Sequence, residues 1–399
     1  MHDFNALAER LAPHYSRFNV ANRLLFSGHS HQAWPDVAVE GQIEAFDAAA
    51  RSVDEKWHAA FEKADILRNY LREWYDDPEG LYCLAENTHI LLVSWLSAIL
   101  SKQGQLKSKP KIITTDGEFH SMYRQLKRLQ EEGVEVVMLP AEPFATFPER
   151  LAAEADDRTA AIMLSRVYFE SSLIHTHLRE VAQVGRDRQI PVLIDDYHGT
   201  NNAPLSLRDE GLEDCYLVTG GYKYLQWGEG NCFLRFPKSC ELRPVITGWF
   251  ASFSTLDKPR TNEPTVYDAG EQRFSTATYD PTSQFRGAKV VEFFRDQQLT
   301  KEVIRQQYLG QLGYLRELFL NANFNPDTIR LVHQQSLETN GGFLALHSPH
   351  AAQLRQMLLE NDVLTDSRGS VLRFGVAPYV TASQIDQAME QLARCIDKL

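Results

Sequence analysis

Cysteine is scarce in this chain and poorly placed for a framework. Cys83, Cys215, Cys232, Cys240 and Cys395 are odd in number and show no C-x-x-C spacing, so neither a disulfide scaffold nor a zinc site is indicated and no metal is expected. Long apolar runs are also missing. The strongest, ILLVSWLSAIL at 90–100, is too short to cross a bilayer and contains two serines, so it reads as a buried helix and no membrane partner is expected. Positive charge is in deficit: Lys and Arg total 41 against 53 Asp and Glu, a formal charge of −12. That balance disfavours non-specific binding to nucleic acid or an anionic membrane. The opening MHDFNALAERLAPHYSRFNV has neither the basic nor the apolar region of a secretory signal, which makes the cytoplasm the expected location. No internal repeat or low-complexity linker separates the parts.

What is present is an alternation. At 399 residues, 43% of them hydrophobic, the chain has the length of two or three lobes around sizeable cores. Short β-branched runs recur at KIITT (111–115), VEVVML (134–139), AAIMLS (160–165), PVLID (191–195), CYLVT (215–219) and NCFLRF (231–236). Amphipathic stretches such as 120–133 and 177–189 lie between them. The pattern predicts an α/β fold, a mostly parallel sheet with helices on both faces. Residues 252–283 are rich in Ser, Thr, Pro and Asp, a helical segment follows over 285–321, and 341–399 reads as a smaller α+β unit. The expected division is an N-terminal segment at 1–50 packing on the small domain, a large domain at 51–255 and a C-terminal domain at 256–399.

The stretch VTGGYKYLQWGEG (218–230) holds Lys223 between two tyrosines just after a candidate strand. Ligand sites of parallel α/β sheets lie beyond the carboxyl ends of the strands. Asp195 ends PVLID, so Asp195 and Lys223 are expected over one sheet edge. A lysine and an acid so placed suggest pyridoxal phosphate, with the lysine forming a Schiff base and the carboxylate keeping the pyridine nitrogen protonated. The alternative is a surface lysine and a loop-capping acid.

IDDYHGTNNAPLSL (194–207) followed by GGYKYLQWGEG (220–230) resembles the cofactor-binding core of the fold-type I pyridoxal phosphate enzymes of the class V aminotransferase group. Within that group it is most similar to kynureninase, with its Asp-x-x-His segment, Asn-x-Pro-Leu turn and Tyr-Lys-Tyr-Leu motif. The resemblance implies that Lys223 is the Schiff-base lysine, Asp195 the partner of the pyridine nitrogen, His198 a neighbour of the phenolic oxygen and Tyr222 a phosphate ligand. Gly220 and Gly221 are expected to let the backbone pass close to the cofactor. AENTHILL (85–92) stands where the family binds the phosphate, which would give Asn87 and Thr88 that role; the triplet Asn87-Thr88-His89 also reads as an ordinary helix cap. Phe119, in TDGEFHSMY (115–123), occupies the ring-stacking position, with His120 as the other candidate and a core phenylalanine as the bland reading.

The substrate side departs further from the family. SRVYFESS (165–172) puts Arg166 where histidine or glutamine is commoner, free to meet a substrate acid or phosphate or to pair with Glu170. Arg373 in VLRFGVAPYV (371–380) matches the arginine that grips the α-carboxylate, and an arginine buried in an apolar strand without a partner supports a ligand role. Trp249 matches a tryptophan that reaches the neighbouring subunit's phosphate, but Ala251 and Ser252 replace the family's Gly-His. Arg273 and Phe274 are kept while the following Gly-Thr-Pro-Pro is not. FSGHSHQAWPD (26–36) places His29 and His31 where the family has Gly-Asn-Ser-Leu-Gly, as substrate-side groups or as part of a solvated loop. The resemblance implies a homodimer with its active site at the interface, acting on an L-amino acid by hydrolytic Cβ–Cγ cleavage. An aminotransferase, epimerase or C–S lyase reaction is the alternative, and a catalytically silent binding homologue a further one. Cysteine desulfurase is disfavoured because SRGSVLRFG (367–375) lacks the sulfur-accepting cysteine.

Overall fold

The computed structural model describes residues 3–103, 109–255, 257, 259 and 262–399. Met1 and His2 of the expected N-terminal segment, and residue 256 where the sequence places the start of the C-terminal domain, lie outside them. The strands are β1 Leu24–Leu25, β2 Leu81–Ala85, β3 Lys111–Thr115, β4 Glu135–Leu139, β5 Thr159–Ser165, β6 Val192–Asp195, β7 Tyr216–Gly220, β8 Cys232–Phe236, β9 Arg330–Leu331, β10 Phe343–His347, β11 Val363–Leu364, β12 Asp366–Arg368 and β13 Val371–Gly375. The helices are α1 Asp3–Leu11, α2 Ala38–Ser52, α3 Lys56–Tyr75, α4 Thr88–Gln103, α5 His120–Glu131, α6 Phe147–Glu154, α7 Leu178–Arg188, α8 Thr282–Asp296, α9 Lys301–Asn321, α10 Ala351–Glu360 and α11 Ala382–Ile396.

Seven strands form the central sheet in the order β2-β8-β7-β6-β5-β3-β4. Only β8 runs against the others. Every residue of β3, β5, β7 and β8 is buried, as expected of strands covered on both faces, which read as continuous apolar runs. Helix α7 shows the complementary pattern. Its buried residues Leu178, Val181, Ala182 and Gly185 fall at i, i+3, i+4 and i+7, one face of a helix. Gly185 is required there because a Cβ would stand 2.5 Å from Val192 Cγ2, so the helix lies directly on β6.

A second, antiparallel sheet has the order β12-β13-β10-β9. The N-terminal segment joins this part: β1 pairs in parallel with β11, and the Gly375 N–H donates to the Phe26 carbonyl at 2.7 Å. Gly28 then passes so close to β13's end that a Cβ would lie 2.3 Å from the Val376 carbonyl oxygen. Helices α2 and α3 pack on α8. Among the described residues no helix is long and apolar enough to cross a membrane.

A buried ion pair fixes the antiparallel strand. Arg235 of β8 is paired with Asp77 at 2.7 and 2.8 Å, and also donates to the carbonyls of Glu213 and Cys215, while the Tyr82 hydroxyl donates to Asp77 at 2.9 Å. Removing one partner strands a desolvated charge. Asp77→Ala is expected to lower stability by about 3–5 kcal/mol in urea unfolding, whereas Glu79→Ala, which breaks the exposed pair with Lys238, should change it by less than about 1 kcal/mol.

Candidate active site

Three neighbouring strands deliver the central groups. Ser165 at the end of β5 is in register with Asp195 at the end of β6, and Asp195 with Val218 of β7. The loops that follow these strands, with the start of α4 and the residues before α5, enclose a cavity of about 430 Å³. Lys223, Asp195, His198, Phe119, Tyr222, Asn87 and Thr88 all line it.

Lys223 is 4% exposed. Its Nζ lies 2.5 Å from His198 Nε2, 4.8 Å from the centre of the Tyr197 ring and 5.1 Å from that of Phe119. Burial lowers the amine to about 7, against the pull of Asp195. Burial also holds His198 well below its ordinary value, with the charge of Lys223 acting the same way. An amine and an imidazole this close share one N–H···N hydrogen bond, and the two cannot both carry a charge without repelling each other. Asp195 accepts from the Tyr197 N–H at 2.9 Å. Burial raises it to about 6, opposed by that hydrogen bond and by Lys223.

A Cβ on Gly220 would collide with the Tyr197 ring at 2.3 Å, and one on Gly221 would press on Trp227 and Asn231. Both glycines let Lys223's loop fold against its own neighbours. Asn87 caps α4, its Oδ1 accepting from Ile90 N at 3.0 Å. The first turn of α4, with Thr88 and His89, therefore lines the cavity, a setting suited to an anion. Phe119 faces the cavity and meets Phe169 edge-on at 5.4 Å. His120 is exposed and outside the cavity lining.

Other candidates lie elsewhere. Arg166 is buried and paired with Asp196, Nε to Oδ1 at 2.5 Å, and donates to the Ala203 and Pro204 carbonyls. Among the described residues its acid is neither Glu170 nor one in the cavity. Asp196, itself fully buried and bonded by the Tyr75 hydroxyl at 2.8 Å, is what makes an arginine tolerable there. The pair pins the loop that carries Asp195 and His198. Trp249 is 41% exposed, packs on Phe250 and Phe253, and donates to the Thr278 hydroxyl.

Arg373 has an internal partner after all. Asp366 on the adjacent strand β12 stands directly opposite it and forms an ion pair with Nη2, and Nη1 donates to the Phe169 carbonyl at 2.6 Å. Burial in the strand thus does not by itself argue for a ligand. Its Nε remains without a hydrogen bond. His29 is wholly buried, its ring against Phe343 at 4.7 Å and 3.7 Å from Asp366, with both ring nitrogens lacking a hydrogen bond. Burial lowers it to about 3, against the attraction of Asp366. It is no solvated loop residue. His31 is exposed at the cavity's rim, stacked on Tyr222 at 4.7 Å and 3.8 Å from Glu229.

The residues present fit a flat ring with an anionic tail: an aromatic face at Phe119, an acid at Asp195, an amine at Lys223, a helix start at Asn87, and the unpartnered His198 Nδ1. Glu118, Ser165 and Tyr197 also belong to this region and were not singled out by pattern. Only the apolar run before Ser165 gave a signal for any of them.

Comparison with known proteins agrees. Residues 304–392 match the family model of the kynureninase C-terminal domain. The chain is 22% identical over 403 residues to a kynureninase of Pseudomonas fluorescens, covering 98% of this chain and 93% of that one. It is 22% identical to the cysteine desulfurase IscS of Shewanella oneidensis over 88% of this chain and 85% of the relative. The solved cystine C–S lyase C-DES, which carries glycine covalently linked to its PLP cofactor, superposes with a TM-score of 0.78 at 18% identity over 96% of this chain and 98% of that one. The architecture is that of the fold-type I pyridoxal phosphate enzymes, and the chain is similar to class V members of that fold.

The buried amine gives a stability test on unloaded protein. Between about 7 and the ordinary 10.5 of a lysine, the unfolded chain holds a proton that the folded one has released, so stability rises with pH across that window. Lys223→Met removes the penalty. The variant should be the more stable at pH 7 by urea unfolding, and its advantage should shrink toward pH 10.5 by at most about 1.4 kcal/mol per pH unit.

Proposed function

We propose that this chain is a pyridoxal phosphate enzyme acting on an L-amino acid, with kynureninase-type hydrolytic cleavage of a Cβ–Cγ bond as its reaction. The observation that carries the reading is the Lys223 amine, buried, lowered to about 7 so that its neutral form is well populated at neutral pH, and 2.5 Å from His198 in the lining of a cavity that also holds Asp195 and Phe119. When bound, the cofactor supplies an electron-withdrawing ring that stabilises negative charge at the substrate α-carbon.

The protein's groups divide the remaining work. Lys223 Nζ, free of a fixed charge, takes and returns a proton at the α-carbon, and His198 Nε2 steadies that amine from one side. Asp195 would face the ring nitrogen and favour its protonated form. Phe119 would cover the ring, and the start of α4 at Asn87 and Thr88, with Tyr222, would hold the phosphate. Arg373 would offer Nε and its remaining N–H groups to the substrate carboxylate while Asp366 keeps the guanidinium in place. His29 and His31 flank the substrate side from the N-terminal segment.

The structural likeness to a C–S lyase favours a second reading, in which the same α-carbon chemistry ends in C–S cleavage. A desulfurase thiol finds no support: all five cysteines are buried, and Cys232 beside the cavity is pushed by burial up to about 11. The intact Lys223, His198 and Asp195 speak against a silent homologue. We also infer a homodimer in the cytoplasm; the dimer is supported by exposed apolar side chains, Phe46 (74%) on α2, Val53 (73%) just after it and Val245 (67%) four residues before Trp249.

Incubation of loaded protein with L-kynurenine and 3-hydroxykynurenine should yield an anthranilate-type product and alanine by mass spectrometry. Loaded protein that is inert toward both would move the reaction to another amino acid, beginning with β-elimination. Lys223→Ala is expected to lose the borohydride-reducible visible absorbance while remaining folded by circular dichroism. Arg373→Ala should weaken amino-acid binding about tenfold or more with cofactor affinity little changed; equal loss of both would make the arginine structural.

A further inference from the structure

Glu118 has no part in the reading above, yet its carboxyl group is buried beside the cavity, 5% exposed. Its two oxygens differ. Oε1 accepts from the Thr115 hydroxyl at 2.5 Å and from the Ser165 N–H at 3.0 Å, whereas Oε2 meets the Ser165 hydroxyl at 2.7 Å. A carboxylic proton therefore belongs on Oε2, since Oε1 already takes two donors.

Ser165 lines the cavity and lies in register with Asp195. Its hydroxyl has one hydrogen to give. With Glu118 ionised, that hydrogen goes to Oε2 and Ser165 turns lone pairs toward the cavity. With Glu118 protonated, Oε2–H donates to Ser165, whose own hydrogen is then released to a ligand atom.

We propose that Glu118 is a positioning residue whose single exchangeable proton decides whether Ser165 donates or accepts a hydrogen bond inside the cavity. The charged and titratable groups around it come from three elements. Asp195 on β6 disfavours a second negative charge, Tyr168 after β5 brings a buried hydroxyl, and Asp116 stands beside it on its own loop. Burial raises Glu118 to about 7, against the hydrogen bonds from Thr115 and Ser165, so the proton is exchanged around neutral pH. Glutamine reproduces one state only: its oxygen can keep Thr115 and Ser165 N–H, and its amide donates to the Ser165 hydroxyl as the protonated acid does.

Two measurements test this. In unloaded protein, the infrared carbonyl band of a protonated carboxylic acid should grow as pH falls through neutrality. Glu118→Gln should remove the component that appears first, leaving the later one expected from Asp195, and Ser165→Ala should shift that first component. A band unchanged in either variant, or missing from the parent, overturns the assignment. The second measurement rests on the cofactor reading: the absorbance of pyridoxal phosphate-loaded parent should show a step near neutral pH that is lost in both variants, and a Glu118→Gln protein that keeps the parental titration also overturns it. Protein that binds no pyridoxal phosphate would defeat the proposed function, while the infrared titration would still decide the role of Glu118.

Discussion

The arrangement at the sheet's edge follows from enclosing one amine in a dry cavity. A lysine in that position has two options: to keep its charge with a close carboxylate or to give it up. Lys223 has Asp195 nearby, but its nearest polar contact is the imidazole of His198, and burial brings it down to about 7. His198 cannot take the charge either, being buried beside the same amine. The result is a nucleophile held ready at neutral pH by desolvation, a state that surface exposure would abolish.

The acids of the molecule sort into two groups by the same logic. Asp77, Asp196 and Asp366 each face an arginine at hydrogen-bonding distance: Arg235, Arg166 and Arg373. These pairs are closed and hold strands and loops in place. Asp195 and Glu118 have no arginine partner among the described residues; burial lifts Asp195 to about 6 against the Tyr197 N–H and the charge of Lys223, and Glu118 to about 7 against hydroxyl and N–H donors. Two buried acids raised toward neutral pH thus lie at or beside the cavity, while the buried arginines nearby are satisfied by other acids. Asp195 and Asp196 show the contrast at adjacent positions.

Much of this was readable in the chain. Apolar runs ending in Ser165, Asp195 and Thr219 announced parallel strands, and the periodicity of α7 announced its buried face, because both signals come from burial repeated over several residues. Pairwise partners left no such trace. Arg166 looked like a ligand because its acid, Asp196, was hidden in a doubled Asp whose first member drew the attention. Arg373 looked unpaired because β12 has three residues, Asp366–Arg368, too few for a period, and reaches β13 through a turn with Gly369 at φ 53°. Glu118 was passed over because an exposed glutamate is the ordinary case. The crowding of Gly220 by Tyr197, 23 positions earlier, left no trace in the sequence either.

The two halves of the site are built differently, and this bears on what evolution can change. Lys223, Asp195 and Ser165 hang from consecutive parallel strands, so their relative positions are set by sheet register and tolerate little drift. His29, Asp366 and Arg373 come from the loop after β1, from β12 and from β13, and they meet where the N-terminal segment runs along the small sheet. That seam combines backbone contacts, with Gly28 pressed against the Val376 carbonyl and the Gly375 N–H on the Phe26 carbonyl, with the packing of His29 against Phe343. Substitutions there can alter the seam while leaving the strand ends untouched, because no residue of the seam takes part in the register of the central sheet. The architecture itself is shared with a solved C–S lyase at 18% identity to this chain.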